Sequence, residues 1–229
     1  MIAFGRFLEL SLPAPDVLES LDFYRRLGFA EWITGDIRRW HYAVVSDGRM
    51  TIGLHQQDVE EPTLSFVRPE VARQVRALEA QGHSFEWQRL GSDDFHEATL
   101  RTPDGQLIRM MEARTFSPAD VPSRSLLGAG CAEVTQHCHD PVLSRTWLET
   151  VGFVAENASG EDVPLHVTAP GLRLGLRTGR PQAVVSLRFR LPDPAASARV
   201  LANSDFDMKK TRDGYELRAP EGTRLLIDG

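Results

Sequence analysis

The sequence has few cysteines, no long hydrophobic run and no concentration of positive charge. Its two cysteines, Cys131 and Cys138, are seven positions apart. On an extended strand they would lie roughly 20 Å apart, which is beyond the reach of a disulfide. The opening residues MIAFGRF also lack the charged and apolar regions of a secretory signal. These absences predict a reducing, cytoplasmic setting.

Two classes of partner are disfavoured by the remaining absences. There is no run of about 18 apolar residues, so no membrane span is expected. The net charge is −6 at pH 7 and no helix concentrates lysine and arginine, which disfavours nucleic acid. A composition of 41% hydrophobic and 25% charged residues is typical of a soluble globular protein, and 229 residues suffice for two domains.

The chain repeats itself. LELSLPAPDVLESLDFYRRLGF (residues 8–29) aligns without a gap with AEVTQHCHDPVLSRTWLETVGF (residues 132–153). TPDGQLIRMME (residues 102–112) is similarly related to APEGTRLLIDG (residues 219–229). Such internal similarity indicates two related halves, which are called the N-terminal and C-terminal halves below.

A segment rich in proline, serine and glycine separates the halves and is typical of a linker. Each half divides again, because it contains a second helical pattern that is followed by short segments in which apolar and polar residues alternate. The predicted organisation is an N-terminal domain of residues 1–116 with modules of about 1–60 and 61–116, a linker of residues 117–128, and a C-terminal domain of residues 129–229 with modules of about 129–180 and 181–229.

Each module reads as a strand, a helix and about three further strands. Asp16 followed by Glu19 has the spacing of a capping box, and Asp140-Pro141 and Asp193-Pro194 give an N-cap with proline at the first helical position. The dipeptides Asp47-Gly48 and Asp104-Gly105 predict hairpin turns between strands in which apolar and polar residues alternate. The pattern predicts an α+β fold in which helices cover one face of each curved sheet and the other face lines a cup.

These residues resemble the vicinal-oxygen-chelate superfamily, which includes glyoxalase I, bleomycin-resistance proteins and extradiol dioxygenases. Asp16, Ser20, Phe23-Tyr24 and the Leu-Gly-Phe at 27–29 match its usual first module, and residues 102–112 match its closing turn and last strand. The resemblance covers the whole chain. It implies two tandem domains, each a pair of βαβββ modules forming a curved mixed sheet.

Enzymes of this superfamily hold a divalent metal with His and Glu side chains inside a cup. Two ligands come from the first strands of paired modules, and a third comes from the last strand. Carried over to the N-terminal half, these positions fall on Glu9, near Thr63 and on Arg109. In the C-terminal half they fall on Glu133, near Leu187 and on Leu226.

Arginine and leucine cannot ligate a metal, so neither cup keeps a full ligand set. We therefore expect no cofactor, and the departures disfavour a ring-cleaving dioxygenase or an ordinary glyoxalase I. The neighbouring His137, Cys138 and His139 do not restore a site, because successive strand residues point to opposite faces.

Glu9 has three interpretations. The favoured one is an ion pair with Arg109, because the two residues occupy positions that converge in relatives. A second is an unusual divalent-metal site shared with His55 and also His41. A third is a partly hydrated strand residue with no further role.

Two arginines offer further contacts. If Glu9 does not occupy Arg109, that guanidinium suits an acidic ligand, whose carboxylate it matches in geometry. In the second cup, Arg177 is the candidate partner of Glu133, and Leu187 and Leu226 make this cup the more apolar one.

The leading hypothesis is a protein that binds a small organic molecule without the usual catalytic metal, for which bleomycin-type resistance proteins are the precedent in the resembled family. An alternative is an enzyme of lyase, isomerase or dioxygenase-like type that uses Glu9 with His55, and with a divalent metal if one is bound. A further alternative is a non-catalytic structural or partner-binding module. The candidate ligand-binding residues are Glu9, His41, His55, Thr63, Arg109, Glu133 and Arg177.

Overall fold

The computed structural model describes most of the chain. The described residues are 4–33, 39–92, 94–113, 125–128, 130–156, 165–181, 185–191 and 193–228. Residues 117–124 of the predicted linker lie outside them. Within this part of the chain there are sixteen strands and four helices, and no helix has both the length and the apolar character needed to cross a membrane.

All four modules have the predicted order of one strand, one helix and three strands. The first contains β1 (Arg6–Pro13), α1 (Val17–Arg26), β2 (Ala30–Trp32), β3 (Tyr42–Ser46) and β4 (Thr51–His55). The second contains β5 (Thr63–Arg68), α2 (Val71–Ala80), β6 (Trp87–Arg89), β7 (Glu97–Arg101) and β8 (Leu107–Glu112).

The C-terminal half repeats this order. The third module contains β9 (Glu133–Cys138), α3 (Pro141–Thr150), β10 (Val154–Ala155), β11 (Leu165–Ala169) and β12 (Leu172–Thr178). The fourth contains β13 (Ser186–Arg190), α4 (Pro194–Ala202), β14 (Met208–Lys210), β15 (Gly214–Arg218) and β16 (Arg224–Asp228).

Each half forms one eight-stranded mixed sheet. The strand orders are β2-β3-β4-β1-β5-β8-β7-β6 and β10-β11-β12-β9-β13-β16-β15-β14. The first and last strands of a module are parallel neighbours, as in β1 with β4 and β5 with β8, and the outer strands are antiparallel. The predicted α+β fold of paired βαβββ modules is therefore confirmed.

The helix starts form as the sequence predicts. The Asp16 carboxylate accepts a hydrogen bond from the Glu19 backbone N–H at 3.0 Å. Asp140 and Asp193 likewise accept from backbone N–H groups in the first turns of α3 and α4, each followed by proline at the first helical position. These caps satisfy backbone donors that the helices cannot pair internally.

Two compact units organise the chain, and neither coincides with one half of the sequence. The first comprises Met1–Glu9, Thr63–Ala119 and Gln136–Ala183, and the second comprises Leu10–Pro62, Asp120–Thr135 and Val184–Gly229. Each unit thus combines one module from each half. The sheets follow the halves whereas the units do not, so the boundaries at 1–116 and 129–229 stay a prediction.

The first unit has an aromatic core. The rings of Phe4 and Phe66 are 5.7 Å apart between centroids, and Phe153 lies 6.2 Å from Phe4 and 6.0 Å from Phe66. The Phe7 N–H also donates to the carbonyl of Pro170 at 2.9 Å. Residues from both halves therefore share one core.

The second unit joins modules one and four through buried polar contacts. The Tyr24 hydroxyl donates to Glu221 Oε1 at 2.7 Å, and the backbone N–H of Cys131 donates to Asp47 Oδ2 at 2.5 Å. Cys131 and Cys138 are both buried free thiols, which confirms that they form no disulfide. Burial raises the pKa of the Cys138 thiol to about 11, which favours the neutral thiol over the thiolate at pH 7.

Candidate functional site

In the second module, one sheet face is apolar and the other carries the polar residues together with Val67, Leu107 and Met111. Helix α2 packs on β7 and β8, and the residues facing it are buried: Leu64, Phe66, Ala98, Leu100, Ile108 and Met110. Residues of opposite parity therefore lie on the face away from the helix.

Arg109 lies at the centre of that polar face. Strand register pairs it with Ser65 on β5 and with Thr99 on β7, and Thr99 in turn pairs with Trp87 on β6. These four residues, Ser65, Arg109, Thr99 and Trp87, form a row across four strands and are called the Arg109 row. The row passes from a fully buried hydroxyl at Ser65 to an indole at Trp87 that is 47% exposed.

Arg109 does not make the ion pair that was expected with Glu9. Its Nε atom is buried without a hydrogen-bond partner, and Arg109 takes part in none of the ion pairs among the described residues. Glu9 lies on β1 and Arg109 on β8, with β5 between the two strands. Glu9 itself is 3% exposed, so the interpretation as a partly hydrated strand residue is also wrong.

Thr63 lies on the same face but two residues before the Arg109 row. It is buried at the start of β5, opposite Leu107 on β8. The residue beside Arg109 is Ser65, which the sequence comparison missed because it could not fix the strand register.

The two candidate histidines of the first module differ in environment. His55 is 2% exposed at the end of β4, and its ring centroid is 4.6 Å from that of Tyr42. His41 is exposed, and its backbone N–H and carbonyl both bond to Gln56. Register places Pro13 beside His55, so Glu9 is four residues away along β1, roughly 13 Å. The use of Glu9 with His55 stays a prediction that this register does not favour.

The C-terminal half brings the carried-over positions into one row. Arg188 on β13 pairs in register with Glu133 on β9 and with Leu226 on β16. These three residues are called the Glu133 row. The middle position was expected near Leu187, and Arg188 holds it. Leu187 itself has no exposed surface and belongs to the core, because a shift of one residue turns a strand side chain to the other face.

An ion-pair network fills the Glu133 row. Arg188 Nε lies 3.5 Å from Glu133 Oε1, and Arg188 Nη1 lies 2.7 Å from Asp228 Oδ2. Arg190 Nη2 lies 3.7 Å from Glu133 Oε2. The side chain of Glu133 is fully buried, and those of Arg188 and Asp228 are 15% and 17% exposed.

An arginine therefore stands where the resemblance placed a metal ligand, and its charge is balanced by acidic neighbours. The sequence analysis anticipated an arginine–carboxylate pair at such a position, but in the other half of the chain. It did not identify Arg188, Arg190 or Asp228. The alternation of charged and apolar residues in SLRFR was the signal that could have found both arginines. The expected contact between Arg177, which lies on β12, and Glu133 stays a prediction.

A catalytic metal does not fit the residues of the Glu133 row. A guanidinium cannot ligate and would repel a cation, and Leu226 offers no donor atom. Among the described residues, no group of three or more His, Cys, Asp or Glu side chains is placed to hold a metal ion. His137, Cys138 and His139 follow one another along and just after β9, as the sequence indicated.

Comparisons with known proteins identify the fold. Neither a scan against protein-family models nor a search of curated proteins finds a match. Among solved structures, a catechol 2,3-dioxygenase is similar at 13% identity with a TM-score of 0.60, covering 98% of this chain and 87% of that one. The Mn(II)-bound glyoxalase from Novosphingobium aromaticivorans is similar at 14% identity with a TM-score of 0.60, covering 99% and 81%.

A third similar structure is homoprotocatechuate 2,3-dioxygenase from Brevibacterium fuscum in complex with 3,4-dihydroxyphenylacetate. It is 16% identical with a TM-score of 0.63, covering 97% of this chain and 79% of that one. The chain thus shares the fold of these proteins, which confirms the fold that the resemblance to the vicinal-oxygen-chelate superfamily implied. At such identities the likeness establishes the fold and not the activity.

Proposed function

We propose that this protein binds a small organic acid at Arg109, without a catalytic metal. The observation that carries the proposal is the buried Nε of Arg109, which has no hydrogen-bond partner within the described structure. A buried donor left unpaired costs about 1–3 kcal/mol, so a ligand that accepts from it would recover that cost. A carboxylate is the group whose geometry best matches a guanidinium.

The rest of the Arg109 row indicates what such an acid would look like. Thr99 places a hydroxyl in the next register position, and Trp87 lies one strand further, roughly 10 Å from Arg109 across the sheet. An indole face stacks on flat rings. The row therefore suits an acid with a planar group attached a few bonds from its carboxylate.

The Glu133 row supports the metal-free part of the proposal. Its central position is taken by Arg188, whose charge is balanced by Glu133 and Asp228. The alternative of an enzyme using Glu9 with His55 lacks comparable support, because Pro13 and not Glu9 lies beside His55.

Titration calorimetry with paired ligands tests the proposal. Aryl carboxylates and the corresponding carboxamides would be titrated into protein treated with EDTA. We expect the acids to bind and the amides to bind at least tenfold more weakly, since only the acids complement the guanidinium charge. Arg109→Gln should abolish the preference, and Arg109→Lys should keep part of it.

Arg101→Gln is the matched control, because Arg101 lies on the neighbouring strand β7 and is already paired with Glu86 at 2.6 Å. It should leave acid binding unchanged. Acid binding that persists in Arg109→Gln would contradict the assignment of the site.

A further inference from the structure

The outer edge of strand β6 presents both backbone and side chains to solvent. β6 is the last strand of the N-terminal sheet, and within the described structure it pairs with β7 alone. Its three residues, Trp87, Gln88 and Arg89, are all exposed. Such an edge offers unpaired backbone groups to which another strand can bond.

Hydrogen bonds between β7 and β8 show which backbone groups of β7 face β6. The Glu112 N–H, at the end of β8, donates to the His96 carbonyl at 2.8 Å. Bonded and non-bonded pairs alternate along antiparallel strands, so Ala98 also bonds to β8. Glu97 and Thr99 therefore turn their backbone N–H and C=O groups toward β6.

The same alternation determines the outward groups of β6. Register places Trp87 opposite Thr99 and Arg89 opposite Glu97, so these two residues of β6 bond to β7. Gln88, between them, turns its backbone N–H and C=O to the outer edge. One donor and one acceptor are thus directed at a position where a further strand can lie.

A second copy of the same edge is complementary to these groups. When two β6 strands run antiparallel about a two-fold axis at Gln88, each Gln88 N–H can donate to the Gln88 carbonyl of the other copy. Trp87 of one copy then lies opposite Arg89 of the other, on the same sheet face. In such a non-hydrogen-bonded pair the side chains lie close together, with Cα atoms about 4.5 Å apart.

Tryptophan and arginine suit that arrangement. Within one chain, Arg89 Cζ lies 5.8 Å from the Trp87 ring centroid, and Arg89 Nη2 lies 2.6 Å from Glu97 Oε1. A guanidinium whose charge is balanced in this way can stack on an indole of the second copy, and the two-fold axis gives the contact twice. We propose that two copies of this chain associate through β6, paired antiparallel about Gln88.

The other sheet edges are less suited to such pairing. β14 carries Lys209 and Lys210, and exposed lysines on an edge strand oppose pairing. β10 has two residues, and the residues of β2 are half-buried. Among the described edges, β6 therefore matches a second copy best.

Sedimentation velocity between about 1 μM and 1 mM protein tests this association. We expect a monomer on dilution and a dimer at high concentration, because so short a strand pair buries little surface. Gln88→Pro removes the outward N–H but no bond to β7, and proline is tolerated at such an edge position, so this variant should be monomeric throughout. Arg89→Gln should raise the dimer Kd about tenfold, since two cation–π contacts are lost.

Lys210→Pro is the matched control on β14. The Thr211 N–H donates to the Gly214 carbonyl at 2.9 Å, so by the same alternation Lys210 turns its N–H to the outer edge of the sheet. This variant should dimerise like the parent protein.

Hydrogen exchange in the unaltered protein gives a measurement that does not depend on any variant. The Gln88 amide should exchange rapidly in dilute solution and more slowly at concentrations where the dimer forms. Three results would overturn the proposal: a monomer at about 1 mM, an equal dimer in folded Gln88→Pro, or exchange at Gln88 that does not change with concentration.

Discussion

At the scale of single residues, the buried polar groups of this protein are of two kinds. Some have a hydrogen-bond partner within the fold, and others have none among the described residues. Tyr24 belongs to the first kind, because its fully buried hydroxyl donates to Glu221. Arg109 and Ser186 belong to the second, because each has a buried polar atom without a partner among the described residues. The first kind holds modules together, and Arg109, of the second kind, marks the proposed acid site.

The Tyr24–Glu221 contact predicts a sensitivity to alkali. Burial, and then the nearby Glu221 carboxylate, raise the pKa of Tyr24 well above its ordinary value of 10.0. The neutral hydroxyl is thus favoured in the folded state, so its contribution is complete below about pH 10 and is lost as the pH rises further. Denaturant unfolding at pH 7 and pH 10.5 measures this loss.

Tyr24→Phe separates the hydroxyl from the ring. It should cost about 1–3 kcal/mol at pH 7, because Glu221 loses its donor, and it should reduce the fall in stability between the two pH values. An equal fall in Tyr24→Phe and in the parent protein would show that another group causes the alkaline loss.

At the scale of elements, the two halves place their arginines on different strands of equivalent sheets. Ser65 and Arg109 are neighbours on β5 and β8, and Arg188 and Leu226 are neighbours on β13 and β16. In the C-terminal half the arginine is Arg188, which lies on β13, next to β9, and pairs with Glu133. In the N-terminal half Arg109 lies one strand further away, on β8, and its Nε has no hydrogen-bond partner among the described residues.

The Glu133 row should accept a metal when its two non-ligating residues are replaced. Arg188→His with Leu226→Glu would set histidine between two glutamates on three neighbouring strands, as nitrogen and oxygen ligands of a divalent ion require. We expect the double variant to bind one Mn(II) or Zn(II), measured by elemental analysis after gel filtration. A folded double variant that binds no more metal than the parent would contradict this geometry.

The start of α2 depends on a side chain from another element. Glu70, before the helix, provides no side-chain cap, and the Glu112 carboxylate at the end of β8 accepts from the N–H groups of Glu70 and Val71 at 2.7 and 2.8 Å. Glu112→Ala should therefore cost about 1–2 kcal/mol in unfolding free energy. Glu112→Gln keeps an acceptor and should cost less; equal losses would show that the packing of the side chain, and not capping, is responsible.

Much of this level of structure was predictable from the sequence. The gap-free repeat around Asp16 and Asp140, together with the helix caps, predicts the four modules because these signals are local. The partners of Glu133 were not predictable in the same way. They depend on strand register, and a difference of one residue decides whether Leu187 or Arg188 faces the polar side of the sheet.

At the scale of the whole molecule, the sheets and the compact units divide the chain differently. Each sheet belongs to one half of the sequence, but each unit combines a module from each half. Phe153 from the second half packs against Phe4 and Phe66 from the first, and Tyr24 bonds to Glu221. Each half alone would therefore expose apolar surface that the intact chain buries.

Separate expression of residues 1–116 and 129–229 tests this view. We expect each fragment alone to be poorly soluble or partly unfolded, and the two produced together to form a soluble 1:1 complex. Far-UV circular dichroism and analytical gel filtration would measure both properties. Two independently stable, monomeric fragments with cooperative unfolding would show instead that the halves are autonomous domains.

The central claim is that a guanidinium, and not a metal, recognises an organic acid in this fold. Calorimetric titration of the tightest aryl carboxylate, before and after exhaustive chelation with metal content measured on the same samples, tests it most directly. The account predicts the same Kd in both samples and loss of binding in Arg109→Gln. Binding that disappears on chelation and returns when Mn(II) or Fe(II) is added would contradict it.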